Sequence, residues 1–127
     1  MVALVCSGTQ EELQCFTLPE DFVAELVSSE AQGAGKPINL QWDATGRMWT
    51  MTAFEYPMDA NQGGRARAKA KYAAGGVDKI LYFDKPYGPG PHTPKTFTSG
   101  LVIPLACLPL EGGKVVYSQY GTEIRKY

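Results

Sequence analysis

Arg47, Glu55 and Tyr56 are the side chains whose types and placement could bind a ligand. Glu55-Tyr56 sets a carboxylate beside a phenol, a pair that could hold a polyol or serve as acid and base if the preceding strand delivers both into a pocket. The plainer reading, which is preferred, packs Tyr56 under the Pro57 turn and leaves Glu55 in water. Arg47 follows a turn glycine, and its guanidinium fork could reach a ligand carboxylate or phosphate. Pairing with Asp43 across the same turn is the preferred alternative, and an exposed pair of that kind is worth only ~0–1 kcal/mol. Trp42 and Trp49 flank this turn, where they could stack on a sugar ring. Packing into the core is the commoner fate of such aromatics and the preferred one here.

Other chemistries find little support in the residue types. His92 is the only histidine, and Gly90-Pro91-His92-Thr93-Pro94 has no Ser or Asp motif beside it. Cys6, Cys15 and Cys107 have neither CxxC nor zinc-ligand spacing, so no metal site is expected. They read as buried free thiols, with a Cys15–Cys107 disulfide as the alternative in an exported protein. P-loop, dinucleotide-binding and Ser/His/Asp signatures are absent. No catalytic residue is assigned, and the ligand-binding candidates remain Arg47, Glu55 and Tyr56.

The elements that must position these residues are short strands. The 127 residues suffice for one domain, and 14 Gly with 9 Pro favour many turns over long helices. With 12 basic and 13 acidic residues the net charge is −1, which supplies no single-signed field for nucleic acid or an anionic membrane. No apolar run approaches the ~18 residues of a transmembrane helix.

Along the chain, residues 1–15 read as a leader or signal remnant, with a short helical turn from Thr9 to Gln14. Phe22 to Val27 reads as a strand. Pro37–Trp42 and Arg47–Ala53 form a hairpin about Asp43-Ala44-Thr45-Gly46, where Asp can bond the backbone ahead and Gly supplies a positive φ. Tyr56 to Gly76 is a long connection whose alternating basic run, Arg65 to Lys71, suits solvent better than a core. Lys79 to Asp84 is a strand. Lys85 to Lys95 is irregular, and Thr96 to Gly100 closes that loop. Leu101 to Leu110, interrupted by Pro104 and Pro109, is an edge strand or bent lead-in. Glu111-Gly112-Gly113 turns into strands Lys114–Gln119 and Thr122–Tyr127.

This grammar of strand, glycine turn, strand and irregular loop predicts a mainly β fold of antiparallel short strands with long loops. Residues 16–127 read as an incomplete β-propeller, its first one to three blades, since a blade takes roughly 40–50 residues. The last β-prone run has no turn after it, so the stretch reads as a fragment of a larger repeat protein.

The ordered motifs resemble a known family. They are Phe16-Thr17-Leu18-Pro19 leading to Phe22–Val27, then Asp43-Ala44-Thr45-Gly46-Arg47-Met48-Trp49, Lys79–Phe83, Phe97-Thr98-Ser99-Gly100-Leu101 and Gly112–Tyr117. In this order they resemble the N-terminal β-propeller of the membrane-bound dehydrogenase-like proteins of planctomycetes and verrucomicrobia, relatives of quinoprotein sugar dehydrogenases. The resemblance implies a periplasmic or extracellular oxidoreductase, with membrane association in view, acting on a sugar or alcohol. Pyrroloquinoline quinone (PQQ) would be the cofactor of the complete protein, and the rest of the propeller would be this segment's partner. The sequence departs from the pattern at Thr52, where many members carry Glu, and at Asp84-Lys85-Pro86-Tyr87-Gly88, which lacks an acidic calcium loop. These departures leave open a non-catalytic propeller segment that binds glycans or protein partners.

Overall fold

The computed structural model describes residues 9–56, 70, 73–119 and 123–126. A short helix, α1 (Thr9–Gln14), precedes seven strands: β1 (Pro37–Trp42), β2 (Met48–Thr52), β3 (Asp78–Phe83), β4 (Lys95–Leu101), β5 (Pro104–Pro109), β6 (Val115–Gln119) and β7 (Glu123–Lys126). They build two antiparallel sheets, one ordered β1-β2-β3-β4 and the other β5-β6-β7. Neighbours in each sheet are also neighbours in sequence, and neither sheet closes on itself among the described residues.

The β1–β2 hairpin forms because its turn is chemically specified. The Gly46 N–H donates to the Asp43 carbonyl at 3.0 Å, and Gly46 adopts φ 81°. A side chain there would be strained, which is why glycine stands at that position. Strand β2 then pairs Trp49 with Tyr82 and Met51 with Ile80 on β3, setting those four side chains on one face. The opposite side of β2 carries Met48, Thr50 and Thr52, and all five residues of the strand are buried. Such a two-sided burial explains why Met-Trp-Thr-Met-Thr does not alternate cleanly between polar and apolar.

The second sheet packs on the first. Strand β5 lies against β1, β2 and β3, and one core cluster joins Trp49, Met51, Ile80 and Leu101 to Cys107, Val115 and Tyr117. Each fully buried aliphatic side chain of this cluster contributes roughly 1.5–3 kcal/mol.

Three local expectations are corrected. Phe22 to Val27 is not a strand: Phe22 and Val23 are exposed, and the segment meets the rest of the chain where the His92 N–H donates to the Val27 carbonyl at 2.6 Å. Its β-prone composition alone does not fold it without a partner edge. Thr96 to Gly100 does not merely close a loop but belongs to β4, paired with β3 from Asp78↔Leu101 to Tyr82↔Lys95. Cys15 is disulfide-bonded, whereas Cys107 is a buried free thiol, so Cys15 and Cys107 are not joined and the reading of all three cysteines as free thiols fails. Strand β5 is the edge of its sheet, with Pro104 and Pro109 at its two ends, where a missing N–H does least harm. The basic run from Arg65 lies outside the described residues, as does Cys6.

Candidate functional site

Strand β2 holds the three candidate residues apart. Arg47 precedes it and Glu55-Tyr56 follow it, so the five residues Met48–Thr52 separate them. At ~3.3 Å per residue this puts the two groups at opposite ends of the sheet.

At the Arg47 end the chemistry is turned inward. The Asp43 carboxylate accepts from the Thr45 N–H at 2.9 Å, the Thr45 hydroxyl at 2.7 Å, the Arg47 N–H at 3.1 Å, the Arg47 Nε–H at 2.6 Å and the Trp49 Nε1–H at 2.9 Å. Burial alone would push this carboxyl up. The hydrogen bonds from Thr45, Trp49 and Arg47 outweigh it and hold Asp43 well below the usual carboxylate range. The Arg47 guanidinium, tied to Asp43, lies 5.3 Å from the Trp49 ring centroid and 5.6 Å from that of Tyr82. Trp49 stacks on Tyr82 at 5.1 Å and meets the Phe97 ring edge-on at 5.3 Å. Lys95, ion-paired with Asp84, lies 6.0 Å from the Tyr82 ring centroid. Tyr87 clasps the turn, its hydroxyl donating to the Gly46 carbonyl at 2.6 Å. The result is a charge-balanced cation–π ladder that rigidifies the hairpin. Arg47 therefore sits in the structural pair with Asp43. The two tryptophans part company: Trp49 is a core residue at 2% exposure, and Trp42 is 55% exposed.

The other end of β2 is a junction of three chain segments. Strand β2 runs into a turn, Ala53–Tyr56, closed by the Tyr56 N–H on the Ala53 carbonyl at 3.3 Å. The Ala53 N–H donates to the Lys36 carbonyl at 3.0 Å, and Lys36 Nζ donates to the Tyr56 carbonyl at 2.7 Å. Across from this turn, Gly76 passes so close that a Cβ would drive into the Leu101 carbonyl and against Glu55 Oε2. Glu55 Oε2 is itself buried. Tyr56 is exposed. The junction thus presents a half-buried carboxylate and an open phenol on one turn, the pairing the sequence singles out.

What the sequence reading missed is the residue beneath them. Asp78 is fully buried, and its carboxylate accepts from the Thr52 hydroxyl at 3.0 Å, the Phe54 N–H at 2.7 Å and the Ile103 N–H at 3.0 Å. Thr52 Oγ1 in turn accepts from the Lys79 N–H at 3.0 Å. The only signal in the sequence was an Asp at the head of an apolar strand, which reads as an ordinary loop residue until its donors are known. His92 takes no part: its ring Nε2 lies 3.3 Å from the Gly88 carbonyl.

Residues 8–124 match a family described as "Domain of unknown function (DUF7133)". The chain belongs to the DUF7133 family. No curated protein and no solved structure matches it.

PQQ is a tricarboxylate and calls for converging cations and N–H donors. Arg47 is committed to Asp43 at the far end of the sheet, Lys95 is committed to Asp84, and the junction offers Glu55, itself an anion, with Lys36 beside Tyr56. These residues do not fit the quinone by themselves. Asp84, committed to Lys95, does not stand in a calcium loop either. No grouping of His, Cys, Asp and Glu suited to a metal ion occurs among the described residues. No helix among them is long and apolar enough to cross a membrane.

Proposed function

We propose that β1–β4 and β5–β7 are consecutive blades of a larger β-propeller, and that this ring belongs to an exported quinoprotein-like dehydrogenase of sugars or alcohols. The observation that carries the blade reading is the sheet order. A four-stranded antiparallel meander is followed directly by a second meander packed on its face, and radially packed four-stranded sheets are how a propeller repeats. Since 4–8 blades make a ring, the partners of this segment are further blades. The dehydrogenase part rests on the ordered sequence motifs, an argument from resemblance rather than from the site. The disulfide at Cys15 supports an oxidising destination, periplasmic or extracellular.

Within the ring, the turn after β2 brings Glu55 and Tyr56 toward substrate hydroxyls. Arg47 serves the hairpin. The quinone contacts come from other blades, so this segment alone is inactive.

A non-catalytic ring that binds glycans or protein partners is the second reading. It is favoured by the commitment of Arg47 and Lys95 to internal ion pairs and by the exposed indole of Trp42. Full-length protein, exported and supplied with PQQ and calcium, distinguishes the two. Quinone-dependent dye reduction on a panel of sugars and alcohols is expected. Glycan-array binding with no dye reduction would replace the first reading with the second.

A further inference from the structure

Asp78 joins the exit of β2 to the corner between the two sheets. One carboxylate oxygen, Oδ1, holds the exit of β2 through the Thr52 hydroxyl and the Phe54 N–H. The other, Oδ2, holds the corner between the two sheets through the Ile103 N–H. That corner is strained: Ile103 is a β-branched residue at φ 44°, in the left-handed region that such side chains avoid. Leu101, just before it, is the residue whose carbonyl lies against Gly76, and Gly76 also faces Glu55. A buried carboxylate with neutral donors, a glycine that admits no side chain and a left-handed isoleucine therefore converge under the turn that carries Glu55 and Tyr56. An apolar residue in place of Asp78 would leave the Phe54 and Ile103 N–H groups without their acceptor, so it is the carboxylate that holds these features together.

We propose that Asp78 is a positioning residue, which aims the Glu55-Tyr56 turn and couples its geometry to the angle between the two sheets. The inference rests on the reading that this turn faces the ligand of the ring. It adds that ligand contact at the turn and sheet–sheet packing share one latch. The two carboxylate oxygens have separate duties, so an amide cannot replace them: an Asn here offers one acceptor, and its NH2 group faces a donor on the other side. Asp78→Asn thus keeps shape and releases one of the two arms.

The test is hydrogen exchange at single amides of the whole chain, which reads the latch whether or not the ring proves to be a dehydrogenase. In Asp78→Asn, exchange at Ile103, or at Phe54 and Tyr56, should rise on the order of tenfold relative to Leu81 in the middle of β3. Thr52→Val should free the Lys79 N–H and, by removing a donor that fixes the Asp78 carboxylate, loosen the Phe54 N–H, and Thr52→Ser should restore both. Val115→Ala, a core truncation remote from the latch, should show no such selectivity. The proposal is overturned if Asp78→Asn leaves these amides unchanged, or raises Leu81 as much as Ile103. If Asp78→Asn does not fold, the two Thr52 variants decide: equal exchange at Phe54 in Val and Ser overturns it. In the full-length ring, Asp78→Asn and Thr52→Val should each weaken ligand affinity several-fold, and Thr52→Ser should restore it. A failure there with the exchange pattern intact would sink the ligand-facing reading and spare the latch.

Discussion

At the scale of single residues, Asp43 and Cys107 show how environment sets chemistry. Asp43 has its carboxyl held below the ordinary value by the donors around it, so the folded state binds the proton less readily than the unfolded chain. The sign follows: a depressed folded pKa contributes stability that is fully present above the unfolded value, ~3.9, and is lost as pH falls below it toward the folded value. Denaturant melts should therefore show stability level from pH 6 to about pH 4.5 and falling from there to pH 2, and Asp43→Asn should flatten that fall. Asp43→Ala should cost about 2 kcal/mol or more at neutral pH, because the buried Trp49 Nε1–H and the Arg47 fork lose a charged acceptor. The Asp43–Arg47 pair was legible in the sequence because both ends lie within one turn. The Asp78 latch was not, since its donors come from residues 52, 54 and 103, and nothing local marks them as neighbours. Cys107 is the converse case of a group silenced by burial, which pushes its thiol up to about 11. Thiolate is the reactive form, so Cys107 should resist a disulfide reagent at pH 8 in the native chain and react promptly once urea unfolds it. Fast native-state labelling would mean that this part of the core is open.

At the scale of elements, hairpin chemistry carried most of what could be read ahead of the structure. The β1–β2 turn, β3 and the β5–β6 connection announce themselves through Asp-x-x-Gly, a β-branched and aromatic run, and Glu-Gly-Gly. Two segments misled for physical reasons. Phe22 to Val27 has the composition of a strand, but strand formation needs a partner edge, and the segment meets the chain through the His92–Val27 hydrogen bond rather than through a ladder. Lys95 to Leu101 contains Gly100 and small polar residues, and becomes β4 because β3 offers it a ladder. The same principle gives a prediction at β7. Ile124 is 81% exposed on β7, the last strand of the second sheet among the described residues, so an apolar side chain sits on a sheet edge there. Such an edge templates association. Sedimentation should find the chain self-associating at micromolar concentration, and Ile124→Lys should shift it toward monomer. A wild-type chain that sediments as monomer throughout would remove the edge as an interaction surface.

At the scale of the whole molecule the question is whether two sheets make one folding unit or two. Repeat architectures are stabilised by the interfaces between units as much as by the units themselves. Here the interface is the core: Trp49, Met51 and Ile80 from the first sheet meet Cys107, Val115 and Tyr117 from the second, and the partly buried Ile38, Tyr82 and Phe97 pack against that cluster. If the interface dominates, truncating either side must weaken both sheets. Ile80→Ala should cost about 2–5 kcal/mol, the range for a fully buried aliphatic residue. Val115→Ala should destabilise in the same direction by a smaller amount, since it removes less. The decisive readout is distribution rather than size. In Ile80→Ala the amides of β6, which pair with β5 and β7 and never with β3, should lose protection together with those of β2 and β3. In Val115→Ala the amides of β2 should follow those of β6. Loss confined to the mutated sheet would show two independent units and would argue against packed neighbouring blades. Loss shared across both would mean that each sheet is stable only against its neighbour, which is the energetic behaviour a ring of blades requires of every member.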